Sequence, residues 1–258
     1  MSTILFHNIV FGPIKSRRLG NSLGVNLLPQ NGKLCSFDCI YCECGWNKDG
    51  RADRTLPPKE TVFEQMSEKF AQLHAEGTPV DTITFSGNGE PTLHPDFPEI
   101  IDFTIGMRDR YFPNAAVSVL SNATMTGRPE IRAALMKVNN PILKIDSGLE
   151  EYIHLVDNPV GQYSLAGTIE NLRHFNGNFI LQTMFLKGTV NGRRIDLTCP
   201  ESTRPWVDIV LDLRPREVMM YTLDRETPAT GLEKVTVGEM EKIAAPIKAA
   251  GITVQIRG

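Results

Sequence analysis

Apolar residues follow two alternating patterns along the chain. Short apolar runs bounded by glycine, proline or polar residues have the length of buried strands, and apolar residues three and four positions apart form one face of a helix. The two patterns alternate from residue 23 to the end of the sequence. This alternation predicts an α/β fold with a parallel sheet covered by helices, and about six or seven such units can curl into a complete or partial barrel.

Individual elements can be assigned from the same patterns. Strands are predicted at 23–28, 80–85, 117–120, 142–145, 179–186, 218–223 and 252–256, of which 179–186 is the longest. Helices are predicted at 58–74, from 96 onward, at 131–138, at 169–175, at 206–213 and from 236 onward. Asp96 with Glu99, and Thr236 with Glu239, have the spacing of capping boxes, in which the first side chain caps the helix and the second reaches back.

The composition is that of an ordinary globular chain. Its 258 residues, 41% hydrophobic and 22% charged, are enough for one large core or a single α/β barrel. The sequence contains no signal-peptide pattern and no apolar stretch of membrane-spanning length, so we expect a cytoplasmic protein with no membrane partner. The formal net charge of −3 argues against a broad basic face. Two basic pairs, Arg17 with Arg18 and Arg193 with Arg194, are either solvated surface or a local nucleic-acid contact.

Four of the five cysteines lie close together in the sequence KLCSFDCIYCECG, from Lys33 to Gly45. Cys35, Cys39 and Cys42 have the spacing C-x3-C-x2-C, and Cys44 follows as a fourth thiol. Short spacings of this kind let several sulfurs bind one zinc ion or one iron–sulfur cluster. Three thiolates complete a zinc site only with a fourth ligand. On a cubane cluster they leave one iron open to a small molecule.

A glycine-rich turn with a carboxylate follows the second predicted strand. The turn reads Gly87-Asn88-Gly89-Glu90; its glycines allow close backbone approach to a ligand, and Glu90 can accept hydrogen bonds from an ammonium group. A tight structural turn is the alternative. Because the carboxyl ends of parallel strands meet at one edge, other polar residues near strand ends are also candidates. They are Ser121, Asn122, Lys144, Asp146, Ser147, Gln182, Asp224 and Arg225.

Structural roles remain open for several of these residues. Ser121 and Asn122 can form a turn, and Lys144 with Asp146 can form a buried ion pair that holds loops together. Gln182 either fills the interior of the barrel or faces a ligand.

The cysteine spacing and the GNGEP turn one strand later resemble the signature of the radical S-adenosylmethionine (SAM) superfamily. The resemblance implies a partial (β/α)6-type TIM-like barrel. It also implies that Cys35, Cys39 and Cys42 hold a [4Fe–4S] cluster whose fourth iron binds SAM, with Tyr41 near the adenine. Such a cluster is oxygen-sensitive, which fits a reducing cytoplasm.

The same resemblance assigns the rest of the SAM site. Gly87, Gly89 and Glu90 match the motif that binds the amino group of the SAM methionine, and Asn88 replaces its middle glycine. The remaining expected SAM contacts are Ser121, Asn122, Asp146 and Gln182.

More narrowly, the segments FGPIKSRRLG, SLGVNLLP, CSFDCIYCECG and YTLDRETP resemble a group of compact prokaryotic Fe–S oxidoreductases that are similar to the tRNA wyosine synthases. The sequence differs from the wyosine enzymes in having no second cysteine cluster ahead of the first and no flavodoxin-like domain. We expect one core domain over 1–258, with an N-terminal extension at 1–22 and a cluster-binding loop at 29–57.

The expected activity is reductive cleavage of SAM to a 5′-deoxyadenosyl radical, which takes a hydrogen atom from a substrate. An external one-electron reductant of the flavodoxin or ferredoxin class would supply the electron. The sequence does not identify the substrate; a tRNA base is one candidate, and a protein or small metabolite is the alternative if the chain is an activating or maturation enzyme. A non-catalytic zinc or electron-transfer protein is the alternative from another class.

Overall fold

The computed structural model describes residues 4–16, 19–49 and 53–258, and its main element is an eight-stranded sheet with the order β1-β2-β3-β4-β5-β6-β9-β11. A three-stranded antiparallel sheet, β10-β7-β8, lies beside it. The strands are β1 Val10–Ser16, β2 Gly20–Val25, β3 Thr82–Phe85, β4 Ala116–Ser121, β5 Asn140–Lys144, β6 Ile180–Met184, β7 Leu186–Val190, β8 Arg193–Asp196, β9 Glu217–Tyr221, β10 Leu232–Lys234 and β11 Thr253–Arg257. The helices are α1 Lys59–Ala75, α2 Phe97–Tyr111, α3 Pro129–Lys137, α4 Glu150–Val156, α5 Leu165–Arg173, α6 Pro200–Leu213 and α7 Val237–Ala249.

The large sheet is parallel from β2 to β11, and only β1 runs antiparallel to its neighbour. Helices connect the parallel strands and bury their apolar faces against the sheet. The two outermost strands, β1 and β11, do not pair with each other, so the barrel is partial. This fold agrees with the α/β class and the partial TIM-like barrel that the sequence predicts.

The apolar periodicity correctly identified six of the seven described helices and missed α4. In α1, for example, Val62, Met66, Phe70 and Leu73 are buried, which is the face predicted from their spacing. The capping box of α7 is also confirmed, since Thr236 accepts from the backbone of Glu239 and the Glu239 carboxylate accepts from the backbone of Thr236. Among the described residues, no helix is long and apolar enough to cross a membrane.

Two local predictions are wrong. The run 179–186 is not one strand, because β6 ends at Met184 and the chain then enters the small sheet as β7. Phe185, at the break, is buried and packs edge-on against Trp206 with ring centroids 5.2 Å apart, so the apolar run continues although the strand does not. The side chain of Asp96 forms no cap on α2. Instead, both carboxylates form ion pairs with Lys59, whose ammonium lies 2.6 Å from Glu99 and 3.9 Å from Asp96.

Candidate active site

The segment 33–45, called the cysteine loop below, follows β2 and crosses the carboxyl ends of the parallel strands. Its backbone is bonded on one side to the turn after β3, where the Leu34 amide donates to the Asn88 carbonyl at 2.9 Å. On the other side the Ile40 amide donates to the Val156 carbonyl, also at 2.9 Å. The loop is therefore fixed at both flanks, although it contains no strand or helix of its own.

The glycines of the turn after β3 are required by this close approach. A Cβ on Gly89, whose φ is +137°, would lie 1.9 Å from the Leu34 carbonyl oxygen. A Cβ on Gly87 would lie 2.3 Å from the Asn26 side chain. Between them, the Asn88 carboxamide bonds the backbone of Phe6 and of Pro29. These contacts hold the N-terminal segment and the cysteine loop together, and the expected SAM contacts of Gly87, Asn88 and Gly89 stay predictions.

The three thiols of the predicted ligand set are neighbours within the loop. Burial raises the pKa of Cys35 to about 12, although the nearby Lys33 lowers it. Burial also raises the pKa of Cys39 well above its usual value, although the nearby Lys144 lowers it. A hydrogen bond with Cys44 lowers the pKa of Cys42 to about 6. Within the described part of the chain, no three His, Cys, Asp or Glu side chains are arranged to hold a single metal ion.

Lys33 is a buried cation next to all three thiols. Its ammonium donates to the Gly45 carbonyl at 2.9 Å and to the Asp38 carboxylate at 3.2 Å, so it links the two ends of the cysteine loop. Burial lowers the pKa of Lys33, but the nearby Cys42, Cys35 and Cys39 raise it above its usual value. Lys33 belongs to the cysteine motif in the sequence, but the motif alone predicts no role for this lysine.

Lys144 is a second buried cation, and it contacts Cys39. Its ammonium lies 3.2 Å from the Cys39 sulfur, 2.8 Å from the Tyr41 hydroxyl and 2.6 Å from the Asp157 carboxylate. Asp146 is 3.4 Å from the same ammonium and accepts a hydrogen bond from Tyr41. Burial and the neighbouring Asp157 raise the pKa of Asp146 to about 7. The predicted ion pair of Lys144 with Asp146 is thus part of a larger buried network.

Asp157 is the member of this network that sequence reasoning missed. It follows α4, which the apolar pattern did not predict, and it comes to Lys144 from a different segment. No spacing in the sequence links it to the cysteines, because the contact with Cys39, at 3.4 Å, joins residues 118 positions apart.

Glu90, Ser121 and Asn122, which all follow strands in the sequence, form a second buried network at one edge of the sheet. One oxygen of Glu90 accepts from the Thr92 backbone at 3.1 Å and from the Ser121 hydroxyl at 2.9 Å. The other accepts from the Asn122 backbone at 2.6 Å. Burial raises the pKa of this carboxyl group.

The Asn122 side chain connects this network to the cysteine loop. Its amide donates to the Ser36 hydroxyl at 2.8 Å and lies 3.6 Å from the Cys35 sulfur. Glu90, Asn122 and Cys35 are therefore joined through two contacts. This arrangement puts a carboxylate, an amide and a thiol within one small volume at the end of β4.

Other predicted residues lie farther from the thiols or have structural partners. Gln182 is buried in β6, beside Lys144 of β5, and Arg225 forms an exposed ion pair with Glu43 at 2.6 Å. Arg194 pairs with Glu233 at 3.3 Å. Arg17 and Arg18 lie outside the described residues.

Two cavities flank the cysteine loop. The first, called the barrel cavity, has a volume of about 320 Å³ and lies at the inner face of the large sheet. Tyr41 and Glu43 of the loop line it, together with Ser22, Thr84 and Tyr221 from the strands. The second, called the outer groove, has a volume of about 540 Å³. It is lined by Ile40 of the loop, by Trp46 directly after the loop, by the end of α4 with the residue Asn158, by the β7–β8 hairpin and by residues 228–230.

Comparison with known proteins identifies relatives that are similar in sequence. The chain is 30% identical over 238 residues to a protein of Brachyspira hyodysenteriae named GTPase Obg, and the match covers 90% of this chain and 32% of that protein. It is also 30% identical over 256 residues to a UPF0026 protein of Helicobacter pylori strain J99, covering 92% of this chain and 80% of the relative. The chain thus spans about a third of the first relative and most of the second.

Solved structures with low sequence identity to this chain share its fold. A radical SAM methyltransferase from Sphaerobacter thermophilus superimposes with a TM-score of 0.64 over 92% of this chain and 65% of that protein, at 14% sequence identity. At this identity the likeness concerns the fold. The model of the radical SAM superfamily matches residues 32–197, which include the cysteine loop, the Glu90 turn and the strands β3 to β8. The family predicted from the cysteine motif is confirmed, and this chain belongs to the radical SAM superfamily.

Proposed function

We propose that the chain is a radical SAM enzyme in which Cys35, Cys39 and Cys42 hold a [4Fe–4S] cluster. The observation that carries this proposal is the position of the three thiols, on one loop fixed across the carboxyl ends of a parallel sheet and flanked by two buried ammonium groups. When bound with SAM, such a cluster supplies the electron that cleaves SAM to methionine and a 5′-deoxyadenosyl radical. The protein binds and orients SAM and the substrate, and it excludes water from the site.

The charges of the surrounding residues fit this cofactor. Three thiolates bring three negative charges into a buried loop, and buried charges need partners. Lys33 and Lys144 supply two positive charges in contact with the thiols. Three thiolates on a cubane cluster bind three different irons, so the proposal does not require the sulfurs to converge on one point.

The SAM methionine is proposed to bind at the Glu90 network. The Glu90 oxygen that faces Asn122 accepts only one hydrogen bond, from the Asn122 backbone, among the described residues. A carboxylate oxygen can accept a further hydrogen bond, so this oxygen can accept one from the SAM amino group. Ser121 and Asn122 then stabilise the carboxylate in position. Gly87, Asn88, Gly89, Asp146, Gln182 and Tyr41 complete the proposed SAM contacts.

The hydrogen atom is proposed to come from a substrate that is a tRNA base, with a protein or small metabolite as the alternative. An external one-electron reductant of the flavodoxin or ferredoxin class completes the scheme. The tRNA proposal rests on the resemblance of the cysteine loop and its flanking segments to the wyosine synthase group.

The test is an anaerobic assay of the full chain, reconstituted with iron and sulfide and reduced with dithionite. We expect 5′-deoxyadenosine when SAM is added. Binding of zinc without any SAM cleavage would reject the proposal and make the cysteine loop structural.

A further inference from the structure

The outer groove is not used by the proposed cofactor chemistry, although the cysteine loop forms one of its walls. Ile40 lies between Cys39 and Tyr41 in the sequence, yet Ile40 lines the outer groove while Tyr41 lines the barrel cavity. The loop therefore separates two cavities. At about 540 Å³ the outer groove is within the size range of small-molecule sites.

The charge of this groove is opposite to that of the chain. The sequence has a formal net charge of −3, but the described residues that line the groove include no Asp or Glu. They include Arg193 and His154. Arg193 is exposed and forms no ion pair with any residue that the structure describes, whereas its neighbour Arg194 is paired with Glu233. An unpaired guanidinium in a groove without carboxylates is suited to a phosphate group.

The other polar and aromatic groups of the groove fit a nucleobase. Trp46, directly after the cysteine loop, gives the wall an aromatic ring, on which a base can stack. Asn158 and Asn191 line the groove from two different turns, in which both have a positive φ. Their carboxamides can donate to and accept from the edge of a base.

We infer that the outer groove binds a nucleoside phosphate, with the base beside Trp46 and the phosphate at Arg193. The ligand is a free nucleotide or one nucleotide of an RNA strand, and both have this chemistry. The inference deepens the proposed function and rests on it in one respect. If the chain is a radical SAM enzyme, the bound nucleotide indicates the class of its substrate. Binding itself requires no SAM cleavage and can be measured separately.

The test uses the full chain, purified anaerobically. Binding of the nucleoside 5′-monophosphates is measured by calorimetry, and binding of a labelled single-stranded oligoribonucleotide by fluorescence anisotropy. We expect Arg193→Glu to weaken binding at least about tenfold, because the mutation places a carboxylate against a phosphate. Arg193→Lys, which keeps the charge, should restore part of the affinity.

Arg194→Glu is the matched control, since this arginine is adjacent, exposed and already paired with Glu233. Its effect should be less than about twofold. Arg193-dependent binding of the monophosphates would identify a free nucleotide, and Arg193-dependent binding of the oligonucleotide alone would identify an RNA strand. No binding of either probe at millimolar concentration, or equal losses in the two Glu variants, would overturn the inference.

The two proposals can fail independently. Nucleotide binding without SAM cleavage would reject the cofactor chemistry and leave the groove assignment intact. SAM cleavage that survives in Arg193→Glu, with nucleotide binding lost, is the result that both proposals predict.

Discussion

The barrel cavity and the outer groove lie on two sides of one cysteine loop but differ in charge. The barrel cavity contains residues of both signs, including Glu43, Asp224 and Arg225. The described lining of the outer groove contains the Arg193 guanidinium, the His154 imidazole and two amides but no carboxylate. SAM carries charges of both signs, whereas a phosphate carries negative charge alone, so the two proposed ligands need different partners. A difference in charge between the two sides of the loop is what the two proposals expect.

The largest expected effect comes from Cys39→Ala, which removes a proposed cluster ligand. We expect loss of the brown colour, of bound iron and of 5′-deoxyadenosine formation, because two thiolates do not hold the cluster in a state that cleaves SAM. Cys199→Ala is the control, since Cys199 precedes α6, outside the cysteine loop. Retained SAM cleavage in Cys39→Ala would contradict the ligand assignment.

Next in size is the effect of Lys144→Met on stability. The mutation leaves Asp157 and Asp146 buried without their cation, and breaking a buried pair in this way costs about 3–5 kcal/mol of unfolding free energy. Lys137→Met is a matched control, because Lys137 also lies 2.6 Å from a carboxylate, that of Asp102, but at the surface. The control should lose about 0–1 kcal/mol. Urea unfolding measures both values, and equal losses would mean that burial of the Lys144 network is not what matters.

Glu90→Gln tests whether SAM and the nucleotide bind independently on the two sides of the cysteine loop. We expect SAM to bind about tenfold more weakly, because the neutral amide loses the charge that attracts the amino group and replaces an acceptor by a donor facing Ser121 or Asn122. Nucleotide binding in the outer groove should be unchanged. Equilibrium dialysis measures both affinities, with the exposed Glu99→Gln as control. An unchanged SAM affinity would remove Glu90 from the site.

The smallest expected effect concerns the glycines. Gly106 is exposed in α2 and has open space around its Cβ position, so Gly106→Ala should raise the unfolding free energy by about 0.5–1 kcal/mol. Gly89→Ala should instead lower stability, since its Cβ would meet the Leu34 carbonyl. Thermal unfolding measures both changes. A stable Gly89→Ala variant with the loop in place would contradict the close contact between the cysteine loop and the turn after β3.

The sequence was sufficient for the parallel sheet because buried strands and amphipathic helices leave distinct periodicities. It was not sufficient to predict the break at Phe185, where the chain passes from the large sheet to the small one while the apolar run continues. The β7–β8 hairpin was missed although Asn191-Gly192 is a strong two-residue turn signal, with φ of 50° and 77°. The helix α4 is short and has only two buried residues, Ile153 and Val156, which is too few to establish a period.

The candidate site was predictable where residues are close in sequence or follow strands. The thiols were identified from spacing, and Glu90 with Ser121 and Asn122 from the strand order. The partners of Lys144 were only partly predictable, since Asp146 is two positions away but Asp157 is brought in by the fold. The outer groove could not be predicted from the sequence, because its walls come from four separate segments.

The most direct measurement of the central claim is the electron paramagnetic resonance spectrum of the reduced, reconstituted chain with and without SAM. If three cysteines leave one iron open at the cysteine loop, SAM will change the spectrum of wild-type protein, and a nucleoside 5′-monophosphate added alone will not produce that change. A spectrum of a [4Fe–4S] cluster that SAM leaves unaltered would contradict the account.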